Sequence, residues 1–122
     1  MDRASIIRAL SIRQPYAERI LRGTKRVEYR SRPANIRGRV CTYASMTPGG
    51  DEDFARMHAQ PGDFPVGVLV GTDQIADCTG EAGDYQWHLA TPERLPETIK
   101  PTNHPDSAWF CLFRRESVGV EV

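Results

Sequence analysis

The sequence lacks the features that mark membrane and secreted proteins. No apolar run approaches the ~20 residues of a membrane-spanning helix, and the charges near the N-terminus are atypical of a signal peptide. The three cysteines are odd in number and far apart, which argues against a disulfide framework. We therefore expect a single cytoplasmic domain spanning residues 1–122, with no membrane association and with reduced cysteines; the oligomeric state is left open.

The motifs of common catalytic and metal sites are also missing. The chain contains no C-x-x-C, no H-E-x-x-H and no phosphate-binding glycine loop. A zinc site can be drawn from Cys78, His88, His104 and Cys111, but their spacing matches no standard pattern. The sequence therefore predicts no resident metal site, and no cofactor is required for a binding function.

What the sequence does have is a marked separation of charge. The net charge is zero, yet residues 1–40 hold eleven of the sixteen Lys and Arg residues and only three of the sixteen acids. Residues 1–40 thus carry +8 and the remainder −8. Basic charge gathered on adjacent elements favours an anionic partner such as RNA, DNA or a nucleotide.

Hydrophobic patterning predicts a small α+β domain. Strands are expected at residues 6–12, 24–31, 39–45, 66–78, 85–90 and 108–114, and helices at 15–21 and 51–58. The proline-rich segment between the last two strands is expected to be irregular. Gly67 and Gly71, within one strand, indicate a bulge, a bend or a close backbone approach. Five to six mixed strands with two to three short helices favour a small β-barrel.

The basic stretch contains one chemically rich segment, Gly23-Thr-Lys-Arg-Val-Glu-Tyr-Arg30. Lys25 and Arg30 can bind phosphate, and Glu28 can orient both cations or act as a general base. In a regular strand Glu28 and Arg30 share one face, and Val27 and Tyr29 share the other, which we expect to be the core. Lys25 can join Glu28 only if it lies in a turn after Gly23.

On chemistry alone, a solvent-exposed charged strand is the favoured interpretation of this segment. Other candidates are weaker. Tyr16 could stack on a base but is predicted to pack in the core, on a helix whose Glu18 points outward. The short polar residues Ser11, Gln14 and Ser45 either line a pocket or satisfy backbone groups.

The segment, however, resembles the G-x-K-x-x-E-x-R signature of the ASCH domain family in the PUA-like superfamily, since all four signature positions match. The similarity extends to four flanking segments, which are residues 10–17, 43–45, 66–71 and 85–89. It covers most of residues 9–113. The resemblance implies a small PUA-like β-barrel with a cleft beside Lys25, Glu28 and Arg30.

The resemblance also implies a choice of functions. The first is binding of single-stranded RNA, a nucleotide or a modified nucleoside, with ligand contacts from Tyr16, Lys25, Glu28, Arg30 and Ser45. The second is an enzyme with Lys25 and Glu28 as catalytic residues, either a ribonuclease assisted by a divalent metal or, less favoured, an amidohydrolase of acylated cytidine. The amidohydrolase branch has Thr at the position of Glu28 and a later Glu, for which Glu81 and Glu93 are candidates. The charge separation, independently of the resemblance, leaves a third alternative, a protein-interaction domain in which the acidic residues 41–122 meet a basic partner.

Overall fold

A mixed six-stranded sheet forms the centre of the structure, a computed structural model that describes residues 8–101 and 109–111. Two short helices accompany the sheet, and of the residues described no helix is long and apolar enough to cross a membrane. The elements in chain order are β1 (Arg8–Ile12), α1 (Tyr16–Leu21), β2 (Val27–Arg30), β3 (Gly38–Ala44), α2 (Asp51–Ala55), β4 (Val68–Glu81), β5 (Asp84–Ile99) and β6 (Trp109–Cys111).

The strand order is β2-β5-β4-β3-β1-β6. The β1–β3 pair is parallel and the other pairs are antiparallel, which confirms the predicted α+β class with mixed strands and two short helices. Closure into a barrel is not confirmed. Within the described residues β2 pairs only with β5 and β6 pairs only with β1, so the sheet is open and both strands are edges.

Both faces of the sheet carry apolar clusters, as the two-residue periodicity of strands requires. Leu10 and Ile12 of β1 pack with α1 and Trp87, whereas Ala9 packs on the opposite face with Cys41 and Tyr43. Within the described residues Cys41 and Cys78 are not disulfide-bonded, and the side chain of Cys111 lies outside those residues. Burial raises the pKa of the Cys41 thiol to about 11, which keeps this thiol protonated and unreactive.

The close backbone approach predicted in β4 occurs at Gly71. A Cβ atom there would lie 2.5 Å from the carbonyl oxygen of Glu93 and would also overlap the side chain of Leu21. The β4–β5 register shifts between Leu69 and Gly71. Only glycine fits this position because α1 and β5 both reach the β4 backbone there.

The predicted irregular connection after residue 90 is wrong as far as residue 99, because β5 continues to Ile99. Among residues 8–101 and 109–111, β2 pairs with residues 85–88 of β5 and no other strand covers that side of its later part, which is therefore an edge within this described region. Pro92 and Pro96 are tolerated there, because an edge does not need their missing N–H groups. Residues 102–108 and the prediction for 112–114 lie outside the described residues.

Candidate ligand-binding cleft

The turn between α1 and β2 sets the direction of Lys25. Gly23 follows the C-cap residue of α1 and has φ +79°, a left-handed conformation that favours glycine. The backbone N–H groups of Thr24 and Lys25 then donate to the Arg19 carbonyl at 3.0 and 3.2 Å. Lys25 therefore precedes β2, and strand parity does not constrain its side chain, as the sequence required for it to meet Glu28.

Lys25, Glu28 and Arg30 converge into one ion cluster, which we call the cleft cluster. Lys25 Nζ lies 3.4 Å from Glu28 Oε1, and Arg30 Nε donates to Glu28 Oε2 at 2.9 Å. Lys25 Nζ also donates to the Val27 carbonyl at 2.5 Å. The three side chains are largely buried, with Lys25 14% exposed and Glu28 13%, so this is not an ordinary solvated surface pair.

Arg30 anchors the cleft cluster to the rest of the sheet. Its second terminal nitrogen donates to the Ser11 carbonyl of β1 at 2.8 Å, although β1 and β2 are not neighbouring strands. The guanidinium also lies 5.7 Å from the ring centroid of Trp87. Arg30 thus fixes the position of edge strand β2 relative to β1, and Glu28 takes its position from Arg30.

The cleft cluster forms one wall of an open cleft of about 730 Å³. All five residues predicted to bind a ligand line this cleft. The residues lining the cleft are Ser11, Ile12, Arg13, Tyr16, Arg19, Lys25, Glu28, Tyr29, Arg30 and Ser45. Ser45 Oγ also accepts the Thr47 N–H at 3.2 Å, so it combines a turn role with a position in the cleft. The volume is within the ~300–1,000 Å³ typical of small-molecule sites.

The prediction that Tyr29 belongs to the core is wrong. Its side chain is 62% exposed and lines the cleft, because β2 is an edge strand and no described element covers that face. Lys25 Nζ lies 5.4 Å from the Tyr29 ring centroid and 5.7 Å from that of Tyr16. The ammonium group is therefore held between two aromatic rings as well as by Glu28.

Tyr16 is half-buried, which reconciles the two roles considered for it. It packs against the main apolar cluster and also lines the cleft. A hydrogen bond with Asp53 raises the pKa of the Tyr16 hydroxyl, and the same bond lowers the pKa of the Asp53 carboxyl. Asp53 belongs to the first turn of α2, so this contact joins the second helix to the rim of the cleft.

Two other predicted side chains have structural roles instead. Gln14 is buried, accepts the Glu18 N–H at 2.9 Å and donates to the Pro65 carbonyl at 3.0 Å, so it does not line the cleft. Glu18 does not point outward as predicted. It is buried because Arg94 of the distant strand β5 reaches it with two hydrogen bonds of 2.9 Å each.

Positive charge dominates the cleft. Arg13, Arg19, Lys25 and Arg30 line it together with a single acid among the described residues, Glu28. A smaller groove of about 330 Å³ shares Arg19 with the cleft and is also lined by Arg22 and Arg56. Basic residues predicted from the charge separation thus border two connected concave surfaces, which is the arrangement that concentrates anions.

Among the described residues, no three or more His, Cys, Asp or Glu side chains form a group that could hold a metal ion. Glu81 and Glu93, considered above as a later acid, are both exposed and do not line the cleft. The predicted zinc alternative includes His104, which lies outside the described residues.

The ASCH domain model matches residues 10–117, so the chain belongs to the ASCH domain family. The relatives include activating signal cointegrator 1 from Homo sapiens and from Mus musculus, each 31% identical over 83 residues. These alignments cover 59% of this chain and 14% of each relative, so the chain spans a small part of their length.

The fold is shared with a solved bacterial structure. The crystal structure of ASCH from Zymomonas mobilis superposes with a TM-score of 0.63 over 92% of this chain and 90% of that one. The sequence identity is 15%, so this likeness concerns the fold alone. The family match and the structural likeness together confirm the resemblance drawn from the signature residues.

Proposed function

We propose that the cleft binds single-stranded RNA or an isolated nucleotide or modified nucleoside. The observation that carries this proposal is the convergence of Lys25, Glu28 and Arg30 on the wall of a cationic cleft that also has two tyrosine rings. Cations for phosphate and aromatic faces for bases are the two elements that proteins use to bind single strands.

Each side chain has a distinct part in this proposal. Arg13 and Arg19 contact phosphate, and the exposed ring of Tyr29 stacks on a base, with Tyr16 opposite. Glu28 holds the ammonium of Lys25 and the guanidinium of Arg30 in fixed directions, because each of its oxygens faces one of them. Ordered cations lose less conformational entropy on binding than free surface side chains.

The sizes of the two concave surfaces suggest how a strand would lie. The main cleft, at about 730 Å³, accommodates one nucleotide in contact with the cleft cluster. The connected groove beyond Arg19 is lined by further arginines and suits the phosphates of adjacent nucleotides. A strand would then contribute several ionic contacts but few sequence-specific ones.

The test is a titration of fluorescently labelled single-stranded RNA at several salt concentrations. Log affinity should fall linearly with log salt, because each neutralised phosphate of a single strand releases about 0.7 counterion. Lys25→Ala and Arg30→Ala should each weaken binding by about tenfold and reduce the salt slope. Arg37→Ala is the matched control, because Arg37 belongs to the same basic stretch but does not line the cleft. Binding that survives both cleft variants unchanged would reject the proposal.

The contact between Lys25 and Glu28 favours one further proposal, hydrolysis of the bound ligand. An ammonium beside a carboxylate in a partly buried cleft can stabilise developing negative charge or transfer a proton. The test is incubation of the protein with labelled single-stranded RNA, with Mn²⁺ or with EDTA, and separately with acylated cytidine. Cleavage lost in Lys25→Ala supports hydrolysis, whereas binding without turnover in every condition leaves a binding module.

A further inference from the structure

A hydrogen bond at the rim of the cleft joins the two helices. The Tyr16 hydroxyl donates to the carboxylate of Asp53, and this bond raises the pKa of the Tyr16 hydroxyl and lowers that of the Asp53 carboxyl. The charges of Arg19 and Arg56 also act on both groups, so these two cations lie near the bond. Asp53 does not itself line the cleft, so its effect on a ligand would come through Tyr16 or through its negative charge.

Asp53 is held in place by its own helix. Its Oδ2 accepts the Gly50 N–H at 3.2 Å, and its Oδ1 accepts from Arg56 Nη1 at 3.3 Å. The next residue, Phe54, is buried and stacks on Phe64 with the ring centroids 6.3 Å apart, which anchors α2. The side chain of Asp53 is also mostly buried. Its carboxylate is therefore a fixed acceptor and not a mobile surface charge.

The backbone that leads into α2 lies close to the Tyr16 ring. The Gly49 N–H donates to the Gln14 carbonyl at 2.7 Å. A Cβ atom at Gly49 would lie 3.1 Å from that carbonyl oxygen, 3.1 Å from Asp53 Oδ2 and 3.5 Å from Tyr16 Cε2, so little space remains there. The ring also packs against the main apolar cluster. Packing thus confines the body of the ring, and Asp53 fixes its hydroxyl end.

We propose that Asp53 is a positioning residue for the ligand, because it holds the Tyr16 ring in the direction that a base needs for stacking. This inference rests on the function proposed for the cleft. Since its O–H group donates to Asp53 within the protein, Tyr16 offers a ligand its aromatic face, and stacking on such a face tolerates any base. A ring that is fixed before binding loses less conformational entropy when a base stacks on it.

The charge of Asp53 predicts the opposite effect, which makes the proposal testable. Because Asp53 lies near Arg19 and Arg56, a purely electrostatic role predicts that RNA binds more tightly once the carboxylate is removed. If Asp53 positions Tyr16, Asp53→Ala should instead weaken binding of mixed-sequence single-stranded RNA by about fivefold, the effect of one side chain that must be ordered on binding. Asp53→Asn loses the charge but keeps an oxygen acceptor, so its affinity should stay close to that of the wild type.

Two further variants separate this hydrogen bond from the other roles of Asp53. Tyr16→Phe keeps the ring and removes the bond from its other end, so it should also weaken binding by about fivefold. In the Tyr16→Phe background Asp53→Ala should have no further effect, whereas a role limited to capping α2 would weaken binding in both backgrounds. Asp51→Asn is the matched control. It removes the same charge from an exposed residue in the same helical turn and should not weaken binding.

A measurement without RNA tests the contact itself. NMR titration of protein with isotopically labelled tyrosine should give a lower pKa for the Tyr16 hydroxyl in Asp53→Ala than in the wild type, because the hydrogen bond that raises it is lost. An unchanged pKa overturns the inference. So does RNA affinity of Asp53→Ala equal to or above that of the wild type, or an equal effect of Asp53→Ala with and without the Tyr16 hydroxyl. Absence of RNA binding by the wild type would instead reject the function proposed for the cleft, and this inference with it.

Discussion

Two carboxylates in this molecule are each clamped between two cations, yet they serve different parts of the structure. Glu28 lies between Lys25 and Arg30 in the cleft cluster. Glu18 lies between Arg22 and Arg94 in what we call the helix cluster, with contacts of 2.7 and 2.9 Å. Glu18 is the more buried of the two, at 7% exposed against 13% for Glu28.

The partners of the two carboxylates account for the difference. In the helix cluster one partner, Arg94, comes from β5, so the ion pairs join α1 to the sheet. In the cleft cluster all three charges come from one short segment, and the cations face a concave surface with tyrosine rings. Similar charge chemistry therefore joins a helix to the sheet in one place and lines an open cleft in the other. Three substitutions, at Glu18, Glu28 and Tyr29, test this distinction, and a fourth examines Asp73, a buried carboxylate outside both clusters; they follow in order of their expected effect on the free energy of unfolding.

Glu18→Gln should have the largest effect, a loss of about 3 kcal/mol, because it leaves two arginine side chains without their buried anion. Half of each arginine is exposed, so solvent limits the loss. Urea denaturation measures this loss of unfolding free energy.

The same substitution tests a pH dependence. Burial alone would raise the pKa of Glu18, but the hydrogen bonds from Arg94 and Arg22 outweigh the effect of burial and lower the pKa. Ionised Glu18 therefore adds to the free energy of unfolding of the wild type above pH 4.5, its ordinary pKa. This contribution disappears as the pH falls through the lowered folded-state pKa, and the free energy of unfolding of Glu18→Gln should not show that decrease. RNA affinity of the folded variant should be unchanged.

Asp73→Asn should have the opposite sign and raise stability at pH 8 by on the order of 2 kcal/mol, because it removes an unpaired buried carboxylate. The folded-state pKa of about 7 is above the ordinary value of 3.8, so the folded protein holds this proton longer than the unfolded chain. Wild-type stability from this group is full below pH 3.8 and declines as the pH rises to about 7. The advantage of the variant should grow over that range. A stability gain that does not change with pH, or an equal gain in the exposed control Asp77→Asn, would contradict the conclusion that the Asp73 carboxylate is buried and unpaired.

Glu28→Gln should lower the free energy of unfolding by about 1 kcal/mol. The loss is smaller than for Glu18→Gln because the ion pairs of Glu28 lie within one segment and do not join distant elements. Its informative effect is on RNA. Removing an acid from a cationic cleft should strengthen RNA binding if charge alone matters, whereas we expect binding several-fold weaker because Lys25 and Arg30 lose their fixed directions. Anisotropy titrations distinguish the two signs, and stronger binding would show that Glu28 does not orient the cations.

Tyr29→Ala should change the free energy of unfolding least, by less than about 0.5 kcal/mol, because the ring is exposed. The same change should weaken single-stranded RNA binding by about tenfold through loss of base stacking. Tyr29→Phe keeps the aromatic face and should retain the affinity, which makes it the matched control. If both variants bind as well as wild type, Tyr29 is an exposed tyrosine without a ligand role.

The elements that sequence patterning predicted well are those with a local physical cause. β3 follows from side chains that alternate along residues 39–45, β4 from the longest β-like run, and the turn at Gly23 from helix-ending chemistry. Predictions failed where a distant element decided the outcome. The periodicity of α1 predicted that Glu18 faces outward. The prediction failed because the burial of Glu18 depends on Arg94, which is seventy-six residues away in the sequence. Tyr29 was expected in the core because nothing local indicates that β2 is a sheet edge.

The site divides in the same way. The identities and spacing of Lys25, Glu28 and Arg30 were sufficient to select them as candidates, together with the basic first third of the chain. Neither their burial nor their mutual distances could be derived from spacing, since strand parity alone placed Lys25 on the wrong side. Asp73 gave no signal in the sequence, because an aspartate in a β-like run looks the same whether its carboxyl is solvated or orphaned.

The sequence by itself determined the charge separation, most of the strands and the signature that assigns the family, because these depend on residue type and short-range periodicity. The tertiary structure alone decided which of two clamped glutamates faces a cleft and which fixes a helix. It also decided that one aspartate would be buried with a carboxylate oxygen that has no hydrogen-bond partner among the described residues. Those outcomes depend on which strands become neighbours in the sheet. Strand pairing is set by packing between residues that are distant in sequence, so it cannot be predicted from a local sequence pattern.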